Sequence, residues 1–364
     1  MDDELRSVES FLQTEIASVA NEIDRDPEAL RLAIAKMGDR RWLAWKVPPE
    51  LGGTGLSEAD YCRLQISLAR TSGALTFLQT QHQSAVSKLA RSDNKSLRQF
   101  CPDAATGKVK IGVGFSHLRR IGKPVMQAHP TKRGYVLTGT VPWITGYNFF
   151  DFFILGATLP DGRELYGLLP FKDSFQAGGK LTFSEPMQLL AVTATNTVSA
   201  VVENWFLEDS RLVTINPAGA IHDSSRQNIL NHGFYALGCA EAALDILKAI
   251  AQKKSLDFVR ESWRSLQNEV AETKGKAIAS IGDRNVGYEQ KLQLRASAID
   301  LAQRCSLAAV VASSGAANYL HSDAGRVYRE SLLFSVSGQT TDVMQASLNL
   351  LVRGYYGGNR SAYY

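Results

Sequence analysis

The sequence predicts an α+β protein in three parts: an N-terminal helical domain (1–108), a middle antiparallel β-barrel or sandwich (109–215) and a C-terminal four-helix bundle (216–364). Three observations carry that prediction. Residues before about 108 place apolar side chains at helical spacing. From Val109 onward, short β-rich runs alternate with turn signals roughly every 8 to 12 residues. Near residue 220 the period becomes helical again, and the composition turns rich in Ala and Leu. A chain of 364 residues is also too long for one simple core.

The elements follow in order. Leu5, Val8, Phe11 and Leu12, then Ile16, Val19 and Ile23, mark the first helix. Pro27 restarts a helix, and Gly38 ends it. The stretch VPPELGGTGLSEADY (47–61) has two prolines and three glycines and reads as a rigid loop. Residues 57–100 read as one or two more helices. The β-rich runs are 109–115, 124–129, 134–138, 151–158, 164–169, 180–184 and 197–207. Helical runs then cover 225–253, 260–280, 288–320 and 324–353, and the Gly/Tyr-rich tail GYYGGNRSAYY is expected to be loose. Strands that cluster, without GxGxxG or GxxxxGK[ST], argue against a doubly wound, Rossmann or P-loop protein.

Composition narrows the function classes. The net charge is +4, and the basic residues are spread out rather than blocked, so nucleic acid is not an expected partner. Cys62, Cys101, Cys239 and Cys305 form no CxxC pair, which suits a reducing compartment. The histidines (82, 117, 129, 222, 232 and 321) have no metal-ligand spacing, so no metal is expected. The N-terminus is acidic and polar, unlike a secretory signal. The most apolar stretch, Cys305–Leu320, is short for a membrane span and interrupted by small polar residues. The expectation is a cytoplasmic protein with no membrane span.

Four stretches carry a resemblance. Val47–Leu56, VPPELGGTGL, looks like a "vPeeyGGlGl" loop, and Tyr135–Thr145, YVLTGTVPWIT, is similar to "Y-x-L-N-G-x-K-x-W-I-T". Leu237-Gly238 lies inside an Ala-rich helix, and Arg326–Leu348 resembles a terminal "R…RDa…yeGTseiq" region. In this order the four resemble the acyl-CoA dehydrogenase superfamily of flavoproteins, across nearly the whole chain. The resemblance implies FAD held between the β module and the bundle, an acyl-CoA or related acyl substrate, a homodimer or homotetramer, and a redox partner for the flavin. It places Trp143 and Thr145 against the isoalloxazine. The residues themselves suit that role: an indole is a flat apolar body with one donor, and a threonine hydroxyl can donate to a ring nitrogen.

Other elements depart from the family pattern. Where "T-E-x-x-A-G-S-D" is expected, the chain has Val113–Gly122, VGFSHLRRIG. There Ser116 could serve the flavin edge, and Arg119 and Arg120 could meet a pyrophosphate, or the segment is a solvated basic turn. In the bundle, Gln267 fits the family's diphosphate-binding Gln, Arg264 stands at the other Gln position, and Lys253 or Lys254 replaces the Arg. The bland alternative is a basic helix end.

The proton-abstracting carboxylate is missing. Aligning Thr340 with the family Thr puts Gly338 at the Glu position, and the alternative position on the first bundle helix is Asn228. Removing a proton α to a thioester carbonyl needs a base there. His232, one helical turn beyond Asn228, and Asp342, one turn after Gly338, are the candidate catalytic residues; Glu241 is a weaker one. Gln339, Thr340 and Thr341 read as groups that hold flavin or ligand. Two further readings stay open: a flavin monooxygenase or oxidase of the same fold, with His82 on the substrate side, and a catalytically degenerate flavin-binding homologue.

Overall fold

The computed structural model describes residues 2–356; residues 357–364, most of the Gly/Tyr-rich tail, lie outside the described residues. In chain order the α-helices are α1 (Asp2–Phe11), α2 (Ala20–Ile23), α3 (Pro27–Asp39), α4 (Glu58–Thr71), α5 (Gly73–Ala90), α6 (Lys95–Arg98), α7 (Cys101–Ala105), α8 (Ala220–Gln227), α9 (Asn231–Lys254), α10 (Asp257–Ala279), α11 (Tyr288–Ser313), α12 (Asp323–Val336) and α13 (Thr341–Tyr356). The strands are β1 (Ile111–Gly114), β2 (Met126–Thr131), β3 (Gly134–Ile144), β4 (Phe152–Thr158), β5 (Glu164–Pro170), β6 (Ser174–Gln176), β7 (Gly179–Phe183), β8 (Val198–Glu208) and β9 (Leu212–Asn216). The predicted order of helices, clustered strands and helical bundle is therefore observed. Among the described residues two compact units form, each discontinuous in sequence: residues 2–21, 58–73 and 225–356 in the first, and 22–57 and 74–224 in the second.

The first unit is helical. Its core is unusually rich in alanine: Ala236, Ala240 and Ala243 of α9 and Ala296, Ala298 and Ala302 of α11 are all buried. Small side chains let backbones approach closely. Gly238 shows how closely, because a Cβ there would overlap the Ile66 carbonyl oxygen and lie 2.7 Å from Ala69 Cβ. Large residues fill the remaining space. Phe234 and Phe334 are fully buried, each adding about 1.5–3 kcal/mol of transfer free energy.

Three of the expected helices contain breaks. A π-turn at Leu12–Ile16 follows α1 and keeps both Leu12 and Ile16 buried. The run 225–253 is interrupted between α8 and α9. The run 324–353 is two helices, α12 and α13, because Gly338 adopts a left-handed φ of 60° and turns the chain.

The Arg-rich run at 326–329 also resolves. Arg326 Nη1 donates to Glu330 Oε1 at 3.0 Å, and both side chains are buried. The same oxygen accepts from the Gly73 backbone N–H at 3.0 Å. This buried pair ties α12 to the α4–α5 junction.

The second unit centres on one nine-stranded sheet of order β6-β7-β8-β3-β2-β4-β5-β9, with β1 paired to β4. Most pairs are antiparallel, as expected; β1–β4 and β2–β4 are parallel. The parallel pairs arise because β1 is separated from β4 by the β2–β3 hairpin, long enough to bring the chain back in the same direction. The short strands β6 and β9 carry too little pattern to be read from sequence. β4 and β5 are buried at nearly every position, so both of their faces are covered. Ala85, Val86 and Leu89 of α5 pack in the same cluster as Ile154 and Leu168. β8 instead largely alternates buried and less buried residues, and β3 exposes Thr138, Thr140 and Trp143, so these strands are covered less completely. In the N-terminal part of this unit, the Asp26 side chain caps α3 through the Glu28 N–H at 2.9 Å, with Pro27 at the first helical position.

Candidate active site

In the second unit the site begins with a register shift. The β3–β8 pairing slips between Val141 and Ile144, so Pro142 and Trp143 lie in an irregular stretch of the ladder. Trp143 is left 48% exposed, unusual for so large an apolar group. Two residues on, Thr145 is buried, and its hydroxyl lies 2.9 Å from that of Thr197. A pair of hydroxyls shares one hydrogen between them. The second hydrogen can be donated to a further acceptor. Ser116 is exposed and opens a short 3-10 turn, Ser116–Arg119.

Two histidines of this unit, His117 and His82, are structural. His117 is buried and bonds the Gly156 carbonyl through Nε2 at 2.9 Å. His82 Nδ1 accepts the Ile111 N–H at 3.0 Å, so its proton lies on Nε2, which donates to Ala104 O at 3.0 Å. Both nitrogens of His82 are engaged and the ring is 1% exposed, which corrects the expectation that it lines a substrate surface. Burial pushes both imidazoles down to about 4.

In the first unit, His232 and Gly338 meet. His232 lies in the first turn of α9, and Gly338 follows α12. A Cβ placed on Gly338 would fall 2.5 Å from His232 Cδ2 and Nε2 and 3.0 Å from Cε1. The imidazole therefore occupies the space into which any side chain at 338 would project. Tyr235 braces the ring edge-on at 5.4 Å between centroids, and Phe334 lies behind Tyr235 at 5.9 Å.

Arg295 of α11 closes this cluster. It is 2% exposed. Its guanidinium donates to Ile229 O at 3.1 Å, Ser337 O at 2.7 Å and Gly338 O at 3.0 Å. No sequence motif marks Arg295, but a signal exists: it stands on a stripe with Leu292, Ala296 and Ile299, all buried. A charge on such a stripe must be satisfied internally.

The polar residues before α13 divide by role. Ser335 and Ser337 bond back to the carbonyls of Ser331 and Leu333, at 2.7 and 2.9 Å, and Gln303 donates to Ser335 Oγ at 2.8 Å. These groups serve helix packing. Thr340 Oγ1 accepts from the Val343 N–H at 3.3 Å, and Thr341 is exposed. Gln339 differs: its Oε1 is buried without a hydrogen-bond partner among the described residues. An orphaned buried acceptor of this kind calls for a ligand or a solvent molecule.

Asp342 accepts from the Tyr288 hydroxyl at 2.6 Å and faces Arg226 at 3.5 Å. Burial, then the Asp342 contact, pushes the Tyr288 phenol up to about 12. Glu241 pairs with Lys274 at 2.5 Å and Arg70 at 3.7 Å. On α10, Arg264 is exposed and Gln267 half-buried. Among the described residues no cluster of His, Cys, Asp and Glu could hold a metal.

Residues 3–108 match the family described as "Acyl-CoA dehydrogenase, N-terminal domain". The 3-(aryl)acrylate reductase of Clostridium sporogenes is 23% identical over 283 residues, covering 74% of each chain. The mitochondrial short-chain specific acyl-CoA dehydrogenase of Mus musculus is 24% identical over 258 residues, 67% of this chain but only 61% of the mouse protein. Among solved structures, a glutaryl-CoA dehydrogenase from Mycobacterium smegmatis in complex with FADH2 superposes with a TM-score of 0.78 at 18% identity, covering 97% of this chain and 94% of that one.

Proposed function

We propose that the chain is an FAD-dependent oxidoreductase of the acyl-CoA dehydrogenase superfamily, acting on an acyl-CoA or related acyl substrate, with His232 handling the α proton. The observation that carries the proton assignment is the imidazole filling the side-chain space of Gly338. A carboxylate cannot stand at 338 while His232 is there. The group that replaces it in space is an imidazole, whose ring nitrogens can accept and donate a proton.

FAD, when bound, supplies the two-electron acceptor for hydride leaving the β carbon, or the donor in the reverse direction. The residues present fit such a group. In the second unit Thr145 with Thr197 has a hydroxyl hydrogen to spare and Trp143 offers a flat apolar face; in the first unit Gln339 has an acceptor unsatisfied among the described residues. Ser116 of the second unit, and Arg264, Gln267, Thr340 and Thr341 of the first, are further proposed cofactor contacts, the cationic Arg264 being suited to a diphosphate.

His232 then acts at the α carbon. In the oxidative direction its neutral ring takes the α proton as the C–H bond breaks. In the reductive direction the imidazolium returns a proton to the same carbon. The aryl acrylate reductase among the relatives favours including the reductive reading. Asp342, the second candidate, would have to leave Tyr288 and Arg226 before it could accept a proton.

A homodimer or homotetramer, a separate redox partner and a cytoplasmic location belong to the same proposal. Exposed apolar residues on three helices support self-association: Leu307 and Val311, Leu332 and Val336, Met344 and Leu348. Four free, buried cysteines suit a reducing compartment. No helix among the described residues is long and apolar enough to cross a membrane.

The test is anaerobic mixing of the flavin-loaded protein with a panel of acyl-CoA thioesters, and of its dithionite-reduced form with aryl acrylates and enoyl-CoAs. Flavin bleaching or reoxidation is expected with at least one, and His232→Gln should slow it by about 10²–10⁴-fold while flavin stays bound. A protein that binds no flavin, or whose flavin responds to neither set, overturns the reading. Substrate-coupled consumption of O₂ by the reduced protein would favour the monooxygenase instead.

A further inference from the structure

We propose that Arg295 is the positioning residue for His232: its guanidinium locks the backbone on both sides of the imidazole, so that ring and loop keep one geometry. The inference rests on the assignment of proton transfer to His232, and goes beyond it by naming what sets that residue's place.

Three carbonyls converge on one planar group. Ile229 O belongs to the turn that leads into α9, three residues before His232. Ser337 O and Gly338 O belong to the turn that leaves α12, against which the imidazole packs. Arg295 itself sits on a third helix, α11, whose backbone runs close to α9: a Cβ on Gly233 would lie 3.6 Å from Arg295 Cα. One side chain therefore fixes the distance between the two segments that carry the ring and its facing backbone. The donor fork suits this task, since a guanidinium presents several N–H groups in one rigid plane. Lysine has a point charge on a flexible stem and cannot hold three carbonyls at fixed angles.

The arrangement also explains why the helix break at Gly338 is stable. Carbonyls at the end of a helix lack intrahelical donors and need partners. Arg295 supplies them for Ser337 and Gly338, where another helix end would use water. Removing the fork would free the 337–338 turn to shift, and the imidazole would lose the wall that holds it. Proton transfer falls steeply with small misplacement of the acid or base.

The test compares Arg295→Lys and Arg295→Gln with the parent protein by a readout that does not depend on turnover. The protein is labelled with ¹³C-histidine, and the His232 ring resonance is identified by its loss in His232→Gln. In either variant that retains its flavin and helical circular dichroism, the His232 resonance should shift, broaden or split, while those of His82 and His117 stay in place. With the substrate that bleaches the parent flavin, kcat should fall about 10–100-fold with KM changed less than about 3-fold. His232→Gln combined with Arg295→Lys should be no slower than His232→Gln alone. An unchanged His232 resonance in a folded variant overturns the positioning role, whatever the activity. A shifted resonance with unchanged kcat, and no effect of His232→Gln, would leave Arg295 positioning the ring but sink the assignment of proton transfer to His232.

Discussion

Gly338→Ala is the sharpest probe of the meeting between α12 and α9. The added methyl would stand 2.5 Å from two His232 ring atoms. Carbon atoms in comfortable contact are about 3.5 Å apart, so the ring must retreat by about 1 Å. Forced overpacking of a core costs about 1–3 kcal/mol. Alanine at the left-handed φ of 60° adds about 1–2 kcal/mol. Gly338→Ala should therefore destabilise the protein by about 2–5 kcal/mol. His232→Ala removes the first contribution and leaves the second. The double variant should then be about 1–3 kcal/mol more stable than the sum of the two single effects predicts. The measurement is urea unfolding of all four proteins in the flavin-free state, followed by far-UV circular dichroism. Additivity within about 0.5 kcal/mol would show that the ring does not occupy the 338 side-chain space, and the reasoning for His232 would fall with it.

Other outcomes follow from the same geometry. His82 and His117 are held neutral by burial, down to about 4, whereas an unfolded histidine titrates near 6.5. Between those values the unfolded chain binds more protons, so their contribution to stability is fully present above about pH 6.5. It is lost as pH falls toward 4, by up to about 3 kcal/mol per ring; acid unfolding of His117→Gln with an unshifted midpoint would count against this. Glu330→Gln should cost about 3–5 kcal/mol by stripping the buried Arg326 of its carboxylate, read as a lowered urea midpoint; a loss below about 1 kcal/mol would mean solvent already reaches the pair. Thr145→Val removes the hydroxyl beside Thr197 and should weaken flavin binding or shift its absorption, as should Trp143→Ala. Unchanged affinity and spectrum in both would remove those residues from the cofactor site.

Several features of the site were legible without coordinates. That a glycine stands at 338, where the resemblance of Arg326–Leu348 expects a carboxylate, is readable in sequence, because motif position is a property of sequence. His232 could be named from helical spacing after Asn228. Its partner could not: nothing in the chain says that residue 232 meets residue 338, since that contact depends on how α9, α11 and α12 pack. Thr197 was invisible for the same reason, being joined to Thr145 only through the register of β3 and β8. The run 335–341 is largely polar in sequence, and nothing in it reveals that Ser335 and Ser337 spend their hydroxyls on their own helix.

By itself the sequence determined the element types, their order and the α+β class, because periodicities of 3.6 and 2 are written residue by residue. It also placed Gly338, not an acid, where the resemblance expects a carboxylate. Tertiary structure alone decided what lies against Gly338. The imidazole of His232 fills the space that Gly338 leaves, and Arg295 holds both backbones to it, a convergence of three helices that no local pattern encodes.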